Sequence, residues 1–138
     1  MSTKKALYNL SKEETEELPP NVLRMSDAKE IASDKEYLLK DVYFPDEHGN
    51  TCFTVAITHL HPGKQTRGHS HQDENELMEV KGGEGLILLN GHSVFIKAGM
   101  FCLVPKTVHH KVINISTSTD LVFVNYFPSA LYRKGRTG

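Results

Sequence analysis

GKQTRGHSHQDENELMEVKGGEG, residues 63–85, is the stretch on which the reading of this chain turns. It carries His69, His71 and Glu76, side chains of the types that ligate transition metals. Successive side chains of an extended segment point to opposite faces, so His69 and His71, two apart, project together. Glu76, five positions on, has the wrong parity for the same straight strand. The intervening Gln72-Asp73-Glu74-Asn75 is polar and turn-prone, which predicts that Glu76 opens a second strand folded back beside the first. Two imidazoles and a carboxylate then converge, and a fourth ligand must come from elsewhere.

Outward from this stretch the pattern is β. Residues 37–44 form an apolar-rich run closed by the turn cluster 45–50 (PDEHGN), and 52–60 is rich in Thr, Val, Ile and Phe up to Pro62-Gly63. Residues 86–89 and 92–97 flank Asn90-Gly91, a dipeptide that readily takes the positive φ angles of a type I′ hairpin turn. Residues 100–104, 108–115 and 120–127 supply three further strands. Short strands at regular spacing without intervening helices predict an all-β sandwich or small barrel over 37–128. The second half also offers the missing ligand. His109 and His110 follow Pro105 and point to opposite faces, so one of them at most joins His69 and His71, and parity leaves the choice open.

Residues 1–36 differ from the rest. Ser11-Lys12-Glu13-Glu14 has the form of a capping box, and Pro19-Pro20 stops the helix it would start. Ser26-Asp27 is read as the cap of a second short helix over 28–33. The expectation is a polar arm packed on the main fold, with 129–138 (SALYRKGRTG) as a loose tail. A chain of 138 residues with 24% charged residues and a net charge of -1 suits one soluble domain. No basic run or long apolar span points to nucleic acid or membrane as a partner. The N-terminus lacks an apolar signal core and Cys52 and Cys102 read as reduced thiols, which argues for a cytoplasmic protein.

These residues carry a resemblance. Gly63, His69, His71, Glu76 and Gly83 resemble the first motif of the cupin superfamily, G-x5-H-x-H-x(3,4)-E-x6-G. Gly99, Pro105, His110 and Asn114 are similar to the second, G-x5-P-x-G-x2-H-x3-N, with Thr107 standing where the pattern has glycine. The resemblance implies a double-stranded β-helix, a jelly-roll-like barrel, holding one divalent metal between His69, His71, Glu76 and His110. It also selects His110 over His109. Cupins often pair through sheet edges, so a homodimer is expected.

The chain is also similar to the archaeal cupin-type glucose-6-phosphate isomerases around residues 58–64, Gly68-His69-Ser70-His71, Asn114-Ile115 and the run Arg24-Met25-Ser26-Asp27. That family uses residues at the positions of Thr58 and Gly68 to hold substrate phosphate. It departs where Met78 replaces an active-site tyrosine, where the His-to-Glu spacing is shorter and where a His-Asp-Tyr stretch is missing after Phe127-Pro128. Lys64 and Arg67, just ahead of the ligands, are candidates for holding an anionic substrate. Manganese, iron(II), nickel, cobalt and zinc all tolerate three imidazoles and a carboxylate, and an octahedral ion would keep two positions for water or substrate oxygens. The function expected is a metal-dependent isomerase or epimerase acting on a small oxygenated molecule such as a sugar or sugar phosphate. An iron(II) dioxygenase and a non-catalytic ligand-binding module are the alternatives. His59 is expected to pack outside the pocket, and Glu74 and Glu79 are weaker rivals to Glu76.

Overall fold

A computed structural model describes residues 17–18, 22–43 and 53–128, apart from the side chains of Asp41 and Tyr43. Among the described residues nine strands follow one another: β1 (Lys29–Ser33), β2 (Tyr37–Tyr43), β3 (Thr54–Leu60), β4 (Glu76–Gly82), β5 (Glu84–Leu89), β6 (His92–Lys97), β7 (Phe101–Val104), β8 (His110–Asn114) and β9 (Leu121–Phe127). They form a six-stranded sheet in the order β1-β2-β3-β9-β4-β7 and a three-stranded sheet in the order β6-β5-β8. Every strand pairing is antiparallel. Among the described residues no helix is long and apolar enough to cross a membrane.

Alternation explains how the two sheets face each other. Leu60, Met78, Val80, Val104, Leu121 and Phe123 from the large sheet meet Ile87, Ile96 and Val112 from the small one in a single buried cluster. Each such aliphatic or aromatic side chain contributes roughly 1.5–3 kcal/mol by leaving water. On the other face of the large sheet, Val55, Ile57 and Val124 are covered by Ala28 in a second, smaller cluster. That is why β3 is buried along nearly its whole length, while β6 at the edge of the small sheet is mostly exposed.

The strands expected from the sequence are present, and the Asn90-Gly91 hairpin has the anticipated geometry, with φ of 48° and 84°. The N-terminal segment is a correction. In place of a helix over 28–33, Met25–Asp27 makes one 3-10 turn and Lys29–Ser33 is a strand paired with β2. Six residues give an isolated helix too few internal hydrogen bonds to repay its nucleation, whereas the edge of β2 supplies partners at once. The capping box at 11–14, the turn at 45–50, Cys52 and the tail 129–138 lie outside the described residues.

A second correction concerns the segment that carries the His-x-His. Residues 64–71 run extended along the free edge of β8, not beside β4. Gln65 bridges Ile113 and His69 bridges His110. Thr66 N–H donates to the Val112 carbonyl at 2.8 Å, and Thr107 N–H donates to the His71 carbonyl at 2.6 Å. Glu76 does open a strand, but β4 pairs with β7 and β9 across the molecule. The first motif therefore straddles both sheets.

Candidate metal centre

The apolar cluster fills part of the space between the sheets, and beside it lies a cavity of about 820 Å³ whose wall mixes apolar side chains with many polar ones. His69 and His71 enter it from the extended segment, Glu76 from the first residue of β4 and His110 from the first residue of β8. One ligand atom from each of the four lies within 4.8 Å of the other three. His110 and Glu76 are buried, whereas His69 sits at the mouth. The choice that parity left open falls to His110. His109 points outward, and its ring packs so closely on Gly68 that a Cβ there would lie 2.6 Å from its Cε1 atom.

The distances suit a metal. Bonds of about 2.1 Å meeting at right angles separate donor atoms by about 3.0 Å. Glu76 Oε1 lies 3.1 Å from His71 Nε2 and 3.2 Å from His110 Nε2. Ring orientation is fixed from behind. A backbone carbonyl can only accept, so Nδ1–H of His69 donates to Arg67 O at 2.8 Å and Nδ1–H of His110 donates to Val108 O at 3.3 Å. In both rings the Nε2 lone pair is left for a cation, the arrangement that orients ligating imidazoles. The donor set and spacing thus fit a divalent transition ion.

Glu76 is fixed as firmly. Its other oxygen, Oε2, accepts from the Asn125 side-chain amide at 2.6 Å, and Asn125 Oδ1 accepts from the Thr58 hydroxyl at 2.9 Å. Burial alone would raise its pKa. Where no cation occupies the site, Nε2–H of His110 and of His71 donate to Oε1 instead, and these hydrogen bonds, with the Asn125 amide, override burial and hold the carboxyl pKa down at about 2. His110 shows the opposite balance, with burial pressing it down and the Glu76 carboxylate lifting it above the ordinary histidine value. Loss of water around His69 lowers its pKa, which favours the neutral, metal-binding form.

The residues expected at a substrate are placed unevenly. Thr58, Arg67 and Gly68 line the cavity and Lys64 does not. The backbone carbonyl of Lys64 instead accepts from Asn114 N–H at 2.9 Å. Asn114 itself ties the end of β8 to the Leu60 and Thr119 carbonyls through its amide, at 2.9 and 2.8 Å. His59 and His61 stay outside the cavity, with both Nδ1 atoms turned toward Asp120 at 4.0 and 3.2 Å. Glu79 is spent on Lys81 and Tyr126. Cys102 is a free thiol whose pKa burial pushes up, the wrong direction for a nucleophile. The sequence reading passed over Asn125. Its signal was parity, since it shares the inward phase of Leu121, Phe123 and Phe127 and is the polar residue of that row.

The model of the cupin domain family matches residues 56–127. The oxalate-binding protein of Thermotoga maritima is 35% identical over 75 residues, which cover 54% of this chain and 61% of that protein. The chain thus matches about three fifths of that curated relative's length. Among solved structures, a predicted oxalate decarboxylase from Thermotoga maritima superposes with a TM-score of 0.70 at 25% identity, covering 78% of this chain and 98% of the other. The polyketide cyclase RemF from Streptomyces resistomycificus has a TM-score of 0.68 at 17% identity and 78% coverage of each chain, a likeness of fold alone.

Proposed function

The chain belongs to the cupin domain family, and from that premise we propose that it is a metal-dependent enzyme that moves a proton on a small molecule bearing adjacent hydroxyl and carbonyl oxygens, such as a sugar or sugar phosphate. The observation that carries this reading is the convergence of His69, His71, Glu76 and His110 inside a cavity large enough for such a molecule. Manganese, iron, nickel, cobalt or zinc, when bound there, polarises a carbonyl and acidifies a hydroxyl. The chain's own part is to hold and orient. The Arg67 and Val108 carbonyls and the Asn125 amide fix three of the four ligands. Arg67, which borders the cavity, supplies a cation for an anionic group, and Gly68 stands beside it on the cavity wall. Thr58 already donates its hydroxyl proton to Asn125, which leaves its oxygen to meet a ligand as an acceptor.

A binding module without turnover is the second reading, favoured by the name of the 35% identical relative, an oxalate-binding protein. Elemental analysis of protein purified without added metal comes first. Replacing His69 and His71 together with Ala should abolish metal retention, and equal metal content in variant and parent would end the ligand assignment. Solvent deuterium appearing at a carbon of a hydroxy-carbonyl compound supports the enzyme. Ligand-induced stabilisation without exchange supports the binder, and iron with oxygen uptake would replace both with a dioxygenase.

We also place the chain in the cytoplasm, on the strength of its free Cys102 thiol, and as a homodimer. The second copy is assigned to β7, an edge strand whose Phe101 and Leu103 are 64% and 61% exposed beside Leu77.

A further inference from the structure

Glu74 carries the feature the proposed function does not use. Among the described residues, its two carboxylate oxygens are the only buried side-chain polar atoms without a hydrogen-bond partner. The residue is 7% exposed and lines the same cavity as His71 and Glu76. Gln72, Asp73 and Asn75 around it are exposed, so Glu74 is the member of this turn that reaches inward. A carboxyl shut away from both water and protein donors is a costly arrangement, and an apolar side chain in its place would avoid the cost. A donor arriving from outside the chain removes the penalty. The charge of the cavity limits what that donor can belong to. Carboxylates of Asp34, Glu36, Asp73 and Glu76 border the cavity with Glu74, against the cations of Arg67 and Lys111 and, when bound, one divalent ion. A ligand that adds only further anionic oxygens meets repulsion there.

We propose that Glu74 is a specificity-determining residue. It accepts a hydrogen bond from the hydroxyl of a bound hydroxy-carbonyl or α-hydroxy-acid ligand, and so disfavours chelators, such as dicarboxylates, that carry no donor. Turning the side chain toward the cavity brings the carboxylate to the ligand, and the bound hydroxyl replaces the missing partner. This inference rests on the reading of the four-ligand site as a metal centre that binds an oxygenated molecule.

The test uses the full chain loaded with manganese and two probes, glycolate and oxalate. Both chelate through adjacent oxygens, and they differ in that glycolate has a hydroxyl where oxalate has a second carboxylate. Calorimetric titration gives Kd for each probe in the parent and in Glu74→Leu, with metal content measured in both. The ratio of the oxalate Kd to the glycolate Kd should fall about tenfold or more in the variant, as expected for loss of a hydrogen bond to a charged group. Metal-free Glu74→Leu should also melt at or above the parent's temperature, because an unpaired buried carboxyl has been removed. A ratio unchanged at equal metal content overturns the proposal. Failure of the parent itself to retain manganese overturns the metal-centre reading instead. If the leucine variant does not fold, Glu74→Met, close in length and without a comparable acceptor, takes its place with the same ratio as the criterion.

Discussion

Single side chains decide how well the centre holds an ion. Asn125 fixes one oxygen of Glu76 and leaves the other facing His71 and His110. Asn125→Ala should therefore weaken metal affinity about 10–100-fold, the usual effect of losing a group that orients a ligand, with far-ultraviolet dichroism unchanged. An affinity within twofold of the parent would show that Glu76 needs no such support. The same network makes a pH prediction for the metal-free protein. The Glu76 carboxyl is held at about 2, below its ordinary 4.5, so it stabilises the folded state above pH 4.5. That contribution drains away as pH falls from 4.5 toward 2. In chelator, the denaturant midpoint of Glu76→Gln should fall less steeply than the parent's across that window, and parallel profiles would contradict the network. Thr107 is a third case. It stands at φ 70° where the resemblance expects glycine, and a β-branched residue in the left-handed region is strained. Relief of about 1–2 kcal/mol, set against the roughly 0.5–1 kcal/mol of extra chain entropy that glycine brings, predicts that Thr107→Gly raises stability by up to about 1.5 kcal/mol. A fall in melting temperature would count against the left-handed turn.

At the scale of elements, the strand-to-strand junctions are where substitutions should hurt most. Gly85, near the start of β5, faces the Ile113 carbonyl so closely that a Cβ would lie 2.3 Å from the oxygen and 2.7 Å from Leu121 Cδ2. Gly85→Ala must push β5 from β8 or displace Leu121, at about 1–3 kcal/mol. Chemical denaturation measures this, and a neutral result would mean that the sheets are looser than they look. Legibility in the sequence follows from how local each cause is. The β5–β6 hairpin could be read because Asn90-Gly91 encodes its own turn. Strand β1 could not, since its KEIAS sequence has no periodicity and becomes a strand only because β2 lies beside it. The four candidate ligands were legible through spacing and resemblance. Parity marks Asn125 as inward, but its bond to Glu76 and the buried isolation of Glu74 were not legible, because both depend on what lies opposite in space. The pairing of residues 64–71 with β8 was likewise a matter of tertiary contact.

At the scale of the whole molecule, the space between the two sheets is divided, with the buried apolar cluster in one part and the cavity with its many polar side chains beside it. The outer surface is less evenly finished. Leu103→Glu on the exposed edge strand β7 should shift the solution mass toward that of a monomer at micromolar concentration, with metal content unchanged. A parent that is already monomeric in light scattering would remove the dimer proposed for this edge. The backbone around the centre has a further consequence. His69 and His110 exchange both their main-chain hydrogen bonds, at 3.0 and 2.8 Å, so the two rings are clipped together whether or not a cation lies between them. In the language of coordination chemistry, the fold behaves as a preformed macrocycle, not as an open-chain chelator. Stripping the ion should leave the amide protons of these two residues slow to exchange, and reloading should need no rearrangement of the chain.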